Sequence, residues 1–145
     1  MKIHQAGILV FLAMSSTLVM SCDYGWSEYN GHCYYVEPNE MDFKEAQYAC
    51  YNQGAYLTKV TDQAESDFVN GLSTDNAWIG IRRGCGCENW ALVYDSSLVL
   101  FTDWGEGEPN NDLGDEDCVE ARVITSKWND LACHRKLKSI CEKDK

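Results

Sequence analysis

Between Glu106 and Asp117, twelve residues carry six carboxylates and two amides: Glu106-Gly107-Glu108-Pro109-Asn110-Asn111-Asp112-Leu113-Gly114-Asp115-Glu116-Asp117, with Cys118 next. So many anions close together repel one another unless something neutralises them. A hard divalent cation does so directly, because calcium takes six to eight oxygen donors from carboxylates, amides and carbonyls. The spacing is not the alternating-acid pattern of an EF-hand loop. Composition alone fits a solvated acidic loop equally well. Trp128-Asn129-Asp130 supplies a second segment with oxygen donors. Were Cys118 and Cys133 bridged, this stretch, read as part of a turn over Lys127 to Asp130, would return alongside the acidic run. One site could then take ligands from both.

Other chemistries fit less well. Zinc finds no CxxC pair, and His4, His32 and His134 are far apart in sequence. His32 and His134 have no Ser or Cys placed by spacing as a nucleophile. A glycosidase needs one carboxyl held protonated at a defined distance from another, whereas carboxylates held by a cation stay ionised. The chain therefore does not read as an enzyme. Its formal net charge of −11 repels nucleic acid and anionic membranes alike.

The elements that must position these residues follow from the rest of the chain. Residues 1–21 read as a secretion signal: Lys2 and His4 precede an apolar run from Ile8 to Met20, and Val19 and Ser21 suit a cleavage site after Ser21. Residues 22–145 then form one domain, exported and extracellular. All eight cysteines (Cys22, Cys33, Cys50, Cys85, Cys87, Cys118, Cys133 and Cys141) lie in that part, an even count that argues for disulfides in an oxidising compartment. Asn30-Gly31 between aromatic-rich runs (Tyr24 to Tyr29 and Cys33 to Val36) predicts a hairpin. Asp42 with Glu45, and Asp62 with Glu65, each predict a capping box opening a short amphipathic helix. The first buries Phe43, Ala46, Ala49 and Cys50 and stops near Gly54; the second buries Ala64, Phe68, Val69 and Leu72. Trp78 to Ile81, Cys118 to Ile124 and Ser139 to Glu142 read as strands, with shorter apolar runs at Ala91 to Tyr94 and Leu98 to Phe101. The class is α+β.

The order Cys22, Cys33, Cys50, Trp78-Ile79-Gly80-Ile81, Glu108-Pro109-Asn110, Glu116-Asp117-Cys118, Trp128-Asn129-Asp130, Cys133 and Cys141 resembles the C-type lectin family in its long form. The match runs along essentially the whole of residues 22–145. It implies a double-loop fold, two helices flanking small antiparallel sheets, with disulfides Cys22–Cys33, Cys50–Cys141 and Cys118–Cys133. It also implies one sugar-binding calcium, ligated by Glu108, Asn110, Glu116, Asn129 and Asp130, with the Asp130 carbonyl as a sixth donor and Pro109 in the cis form. Glu108, Asn110, Glu116 and Asn129 would also touch the sugar.

A carboxylate only accepts hydrogen bonds, whereas an amide nitrogen donates. In the family, the order Glu-Pro-Asn goes with glycans presenting equatorial 3- and 4-hydroxyls (mannose, fucose and N-acetylglucosamine types). The reversed Gln-Pro-Asp order goes with galactose. The resemblance thus implies a mannose-binding lectin of innate defence, with a galactose-type or protein ligand as the alternative. A hydroxyl-pair site holds a monosaccharide at about millimolar, roughly −4 kcal/mol, so useful avidity calls for several sites in an oligomer.

Three features depart from the family pattern or stand outside it. Positions that hold a second calcium in some relatives carry Arg83, Cys87 and Asn111; Glu88 and Asp117 remain, but Arg82 and Arg83 oppose a cation there, and one ion is expected. Cys85-Gly86-Cys87 has no counterpart, and its cysteines either bond to each other or link a homo-oligomer. Glu37-Pro38-Asn39 repeats the tripeptide without acidic neighbours, and reads as a turn leading to a helix cap. Trp78, Trp104 and Trp128 read as packing residues, while Trp90 and Tyr94 are candidates to stack on a sugar face.

Overall fold

The computed structural model describes residues 21–84 and 89–145. The signal expected over residues 1–21 falls, up to residue 20, outside the described residues, as do Cys85, Cys87 and Glu88. Strand β1 (Ser27–Tyr29) turns through Asn30 and Gly31 into β2 (His32–Met41). Both turn residues have positive φ, at 47° and 83°, the requirement that makes Asn-Gly the favoured hairpin pair. Helix α1 (Phe43–Asn52) opens with the expected reciprocal box: Asp42 accepts from the Glu45 amide at 2.9 Å and Glu45 accepts from the Asp42 amide at 3.0 Å. A short β3 (Tyr56–Leu57) follows, then helix α2 (Gln63–Leu72). The remaining strands are β4 (Ala77–Arg83), β5 (Trp90–Leu92), β6 (Cys118–Arg122), β7 (Lys127–Leu131) and β8 (Leu137–Asp144).

These strands form one mixed sheet in the order β1-β2-β8-β4-β6-β7, with β3 on β8 and β5 on β4. The β4–β8 pairing is parallel and the others are antiparallel, so the expected small antiparallel sheets are joined into one. Alternation along β4 divides the interior. Ile79 and Ile81 pack with Tyr34, Val69, Val119, Trp128 and Ile140, while Trp78 packs with Phe43, Ala46, Cys50 and Leu57. Gly80 sits where β4 crosses the end of β3. A Cβ there would lie 2.2 Å from the Leu57 carbonyl oxygen, and the Gly80 amide donates to the Thr58 carbonyl at 2.8 Å.

Disulfides join Cys22 to Cys33, Cys50 to Cys141 and Cys118 to Cys133, spanning 11, 91 and 15 residues. On the loop-entropy scale a 15-residue closure stabilises by roughly 3 kcal/mol and a longer one by more. The two ends of the described chain meet along β2 and β8: His32 pairs with Asp144, and the Lys145 amide donates to the Gly31 carbonyl at 3.2 Å.

Four local expectations are corrected. Lys127 to Asp130 is strand, not turn, because β7 pairs residue for residue with β6. Glu37-Pro38-Asn39 lies within β2 rather than in a turn: Glu37 still pairs with Ser139, and the register to β8 is irregular from there until Met41 pairs with Leu137. Glu65 does not return to Asp62; its carboxylate accepts instead from the Thr61 amide and hydroxyl and from the Tyr34 hydroxyl, each at 2.7–2.8 Å. The inner face of α2 accordingly carries Glu65, Ser66, Val69 and Asn70, with Phe68 and Leu72 partly buried against the core as expected, while Ala64 is exposed.

Candidate functional site

The candidate site is built on the margin of the sheet formed by β6 and β7. Hydrogen bonding to β6 and the Cys118–Cys133 bridge place Asn129 and Asp130 beside the acidic loop. Asp130 is fully buried, and its two carboxylate oxygens accept from the amides of Asn110 (3.0 Å) and Asn111 (2.8 Å). These charge-assisted bonds fix the backbone just after Pro109, and the Glu108–Pro109 peptide is cis. Asn110 Oδ1 and Glu116 Oε2 both accept from the Asp112 amide, at 2.9 and 2.7 Å, and Asn111 Oδ1 accepts from the Glu116 amide at 3.1 Å. The loop is therefore folded on its own backbone amides.

Asn129 is oriented from the opposite side. Its Nδ2 donates to Glu120 Oε1 at 2.9 Å, across the β6–β7 pair. Because the nitrogen is committed to Glu120, the side-chain oxygen is the atom directed elsewhere. Glu120 also accepts from Asn76 Nδ2 at 2.9 Å and Arg122 Nε at 3.2 Å, and Arg122 Nη1 lies 3.7 Å from Glu108 Oε1. Two sets of contacts thus adjoin along the chain: Glu108 reaches Asn129 through Arg122 and Glu120, and Asn110 is tied to Asp130 and, through the Asp112 amide, to Glu116. Sequence reasoning missed Glu120 and Arg122, which are not among the five expected calcium ligands. The alternation of Glu120 between Val119 and Ala121 was the one available signal.

The electrostatics are those of a site short of positive charge. Burial, then the neighbouring Asp130 carboxylate, push the Glu108 carboxyl above its usual range. Glu116 is raised by burial, with Asp130 and Asp112 adding to the effect. The side chain of Glu108 is only 9% exposed, and its Oε2 is buried with no hydrogen-bond partner. Leaving a carboxylate oxygen unpaired is costly, and a hard cation removes that cost. Among the described residues no three His, Cys, Asp or Glu side chains form a metal cage by themselves; here the oxygens are mixed, carboxylates with amides. That mixture is what calcium accepts, so the donor set fits the ion.

Of the two sugar-stacking candidates, Trp90 is partly buried and Tyr94 is half exposed. Trp90 packs against Trp104 with ring centroids 4.9 Å apart, beneath the Arg83 guanidinium at 4.7 Å. Tyr94 lies 4.2 Å from Tyr56 with the Lys59 ammonium over it. The large open concavity of the molecule, about 910 Å³, includes Tyr48, Tyr51, Tyr56 and Tyr94 and none of the five donors. A site for a pair of sugar hydroxyls is shallow by nature, so size is a poor guide to it.

Comparison with known proteins agrees with this architecture. Residues 39–143 match the family described as the lectin C-type domain. The perlucin-like protein of Mytilus galloprovincialis is 31% identical over 125 residues, covering 81% of this chain and 80% of that protein. Other relatives are longer, and the chain spans 53% and 9% of the length of two of them. Among solved structures, the lectin domain of murine dendritic cell inhibitory receptor 2, in complex with N-glycan, superposes with a TM-score of 0.77 at 30% identity, covering 86% of this chain and 100% of that one. A calcium-independent type II antifreeze protein superposes with a TM-score of 0.78 at 26% identity, covering 86% and 95%.

Proposed function

Given that the chain belongs to the C-type lectin domain family, which binds carbohydrate and is not enzymatic, we propose that it is a secreted, calcium-dependent lectin of mannose-type preference, recognising glycans in innate defence. The observation that carries the reading is the orphaned Glu108 oxygen among three mutually repelling carboxylates, Glu108, Glu116 and Asp130. Calcium, when bound, supplies a centre on which two neighbouring sugar hydroxyls replace water. The rest falls to side chains. Glu108 and Glu116 accept from the hydroxyls, while the amide of Asn110 offers a donor beside them. Asp130 holds the Asn110 and Asn111 amides. Glu120 engages the Asn129 nitrogen, so the Asn129 oxygen is the atom that would serve as a ligand to the ion. No helix among the described residues is long and apolar enough to cross a membrane.

The test is retention of the refolded domain on mannose-agarose and galactose-agarose, first with calcium and then with EDTA. Retention on mannose that EDTA abolishes is expected. Retention on galactose alone would overturn the selectivity but leave the metal. No retention on either matrix would turn the reading toward a protein ligand.

A further inference from the structure

One cation beside the candidate site has no part in the ligand set just described. Arg83, at the end of β4, is 21% exposed and has partners on three sides. Its Nε donates to Asp117 Oδ1 at 2.9 Å, and its Nη2 donates to the Glu116 carbonyl at 3.2 Å. Nη2 also lies 3.7 Å from Oδ2 of the buried Asp130. The guanidinium sits over the Trp90 ring, and the Arg83 amide donates to the Asp117 carbonyl at 2.8 Å. Asp117, the Glu116 carbonyl and Asp130 together present the oxygen chemistry that attracts a cation. Here a side chain already supplies one.

We propose that Arg83 is the resident cation of this site, a positioning residue that holds Glu116-Asp117 against Asp130 in place of a second metal ion. Its role as a substitute rests on the functional reading above, and its grip on the loop does not. A guanidinium suits the task because its planar fork spans two acceptors at once, stays charged at every relevant pH, and stacks on an indole. A divalent ion bound to Asp117 would sit within a few ångströms of that fixed charge, where repulsion disfavours it. Three consequences follow. The loop is ordered before calcium arrives; the site takes a single ion, with a Hill coefficient near 1; and an acid at position 83 opens room for another.

The experiment compares the parent with R83Q, R83K and R83D. In EDTA, amide exchange from Asp112 to Asp117 is expected to run roughly tenfold faster in R83Q than in the parent, with β8 unchanged and R83K in between. Calcium titration is expected to give one ion per chain for the parent and two for R83D. Equal exchange in the parent and R83Q, or two calcium ions in the parent, would overturn the proposal. If R83Q does not fold, R83K exchanging like the parent overturns it equally. The two readings fail separately. A parent that takes up no calcium defeats the functional reading, whereas the exchange contrast is read without calcium.

Discussion

Glu-Pro-Asn occurs twice in this chain, at 37–39 and at 108–110, and the copies share little beyond their residue order. In the first, Asn39 donates to its own neighbour: its amide nitrogen and side-chain nitrogen both reach Glu37 Oε1, at 3.3 and 2.8 Å. Glu37 Oε2 accepts from Gln53 at 3.3 Å. Acceptor and donor are spent on each other along a sheet strand. In the second copy, Asp130 takes the amides of Asn110 and Asn111, and one oxygen of Glu108 is buried and unpaired. The difference lies twenty residues away, in a carboxylate on another strand. A tripeptide becomes a candidate site only when a distant anion takes its backbone and leaves its side chains without each other.

Removing that anion should therefore have the largest effect. In D130N the charge and one acceptor disappear, and calcium affinity is expected to fall about 100-fold, equivalent to about 2.7 kcal/mol. Isothermal titration checks this, and affinity within threefold of the parent would show that the copies do not differ for the reason given. A finer test exchanges donor and acceptor in each copy. E108Q with N110D should move the mannose-to-galactose inhibition ratio by about tenfold toward galactose, on the scale of one polar contact. E37Q with N39D should leave that ratio where it was. A matching shift from both pairs would dissolve the comparison.

The smallest effect concerns acid. Strand β7, which carries Asp130, is anchored near its start by an ion pair between Lys127 and Asp103, and Asp103 also accepts from Ser66 at 2.8 Å. Burial raises the Asp103 carboxyl, but Lys127, Ser66 and Gln63 together outweigh burial and hold it below its ordinary value. A carboxyl lowered on folding stabilises above its unfolded value, about 3.9, and loses that contribution as pH falls through the folded value. D103N should melt about 4 °C below the parent near neutrality, for about 1 kcal/mol. The gap should narrow below pH 4, as scanning calorimetry at several pH values can show.

Much of the scaffold was legible because its signals are local. The Asn30-Gly31 turn, the Asp42–Glu45 box and the apolar run from Trp78 to Ile81 each state their structure within a few residues. Gly80 was visible as part of a motif, but its reason, the Leu57 carbonyl 2.2 Å from where a Cβ would be, belongs to the packed chain. The polar strand β7 was misread as a turn because Asn129 and Asp130 satisfy their polarity through Glu120 and the 110–111 amides, partners that no window of sequence contains. Arg83 was read only as an obstacle to a metal. Its partner Asp117 lies 34 residues on, and the sign of its contribution depends on that contact.

The pairing of β2 with β8 brings both ends of the described chain to one margin of the sheet, while β6 and β7 form the other. A bead, a surface or a sister domain fastened through either end would leave the margin that carries the candidate site turned outward. Copies tethered in this way would present their loops in parallel, and spacing rather than contact would then decide which glycan arrays they hold.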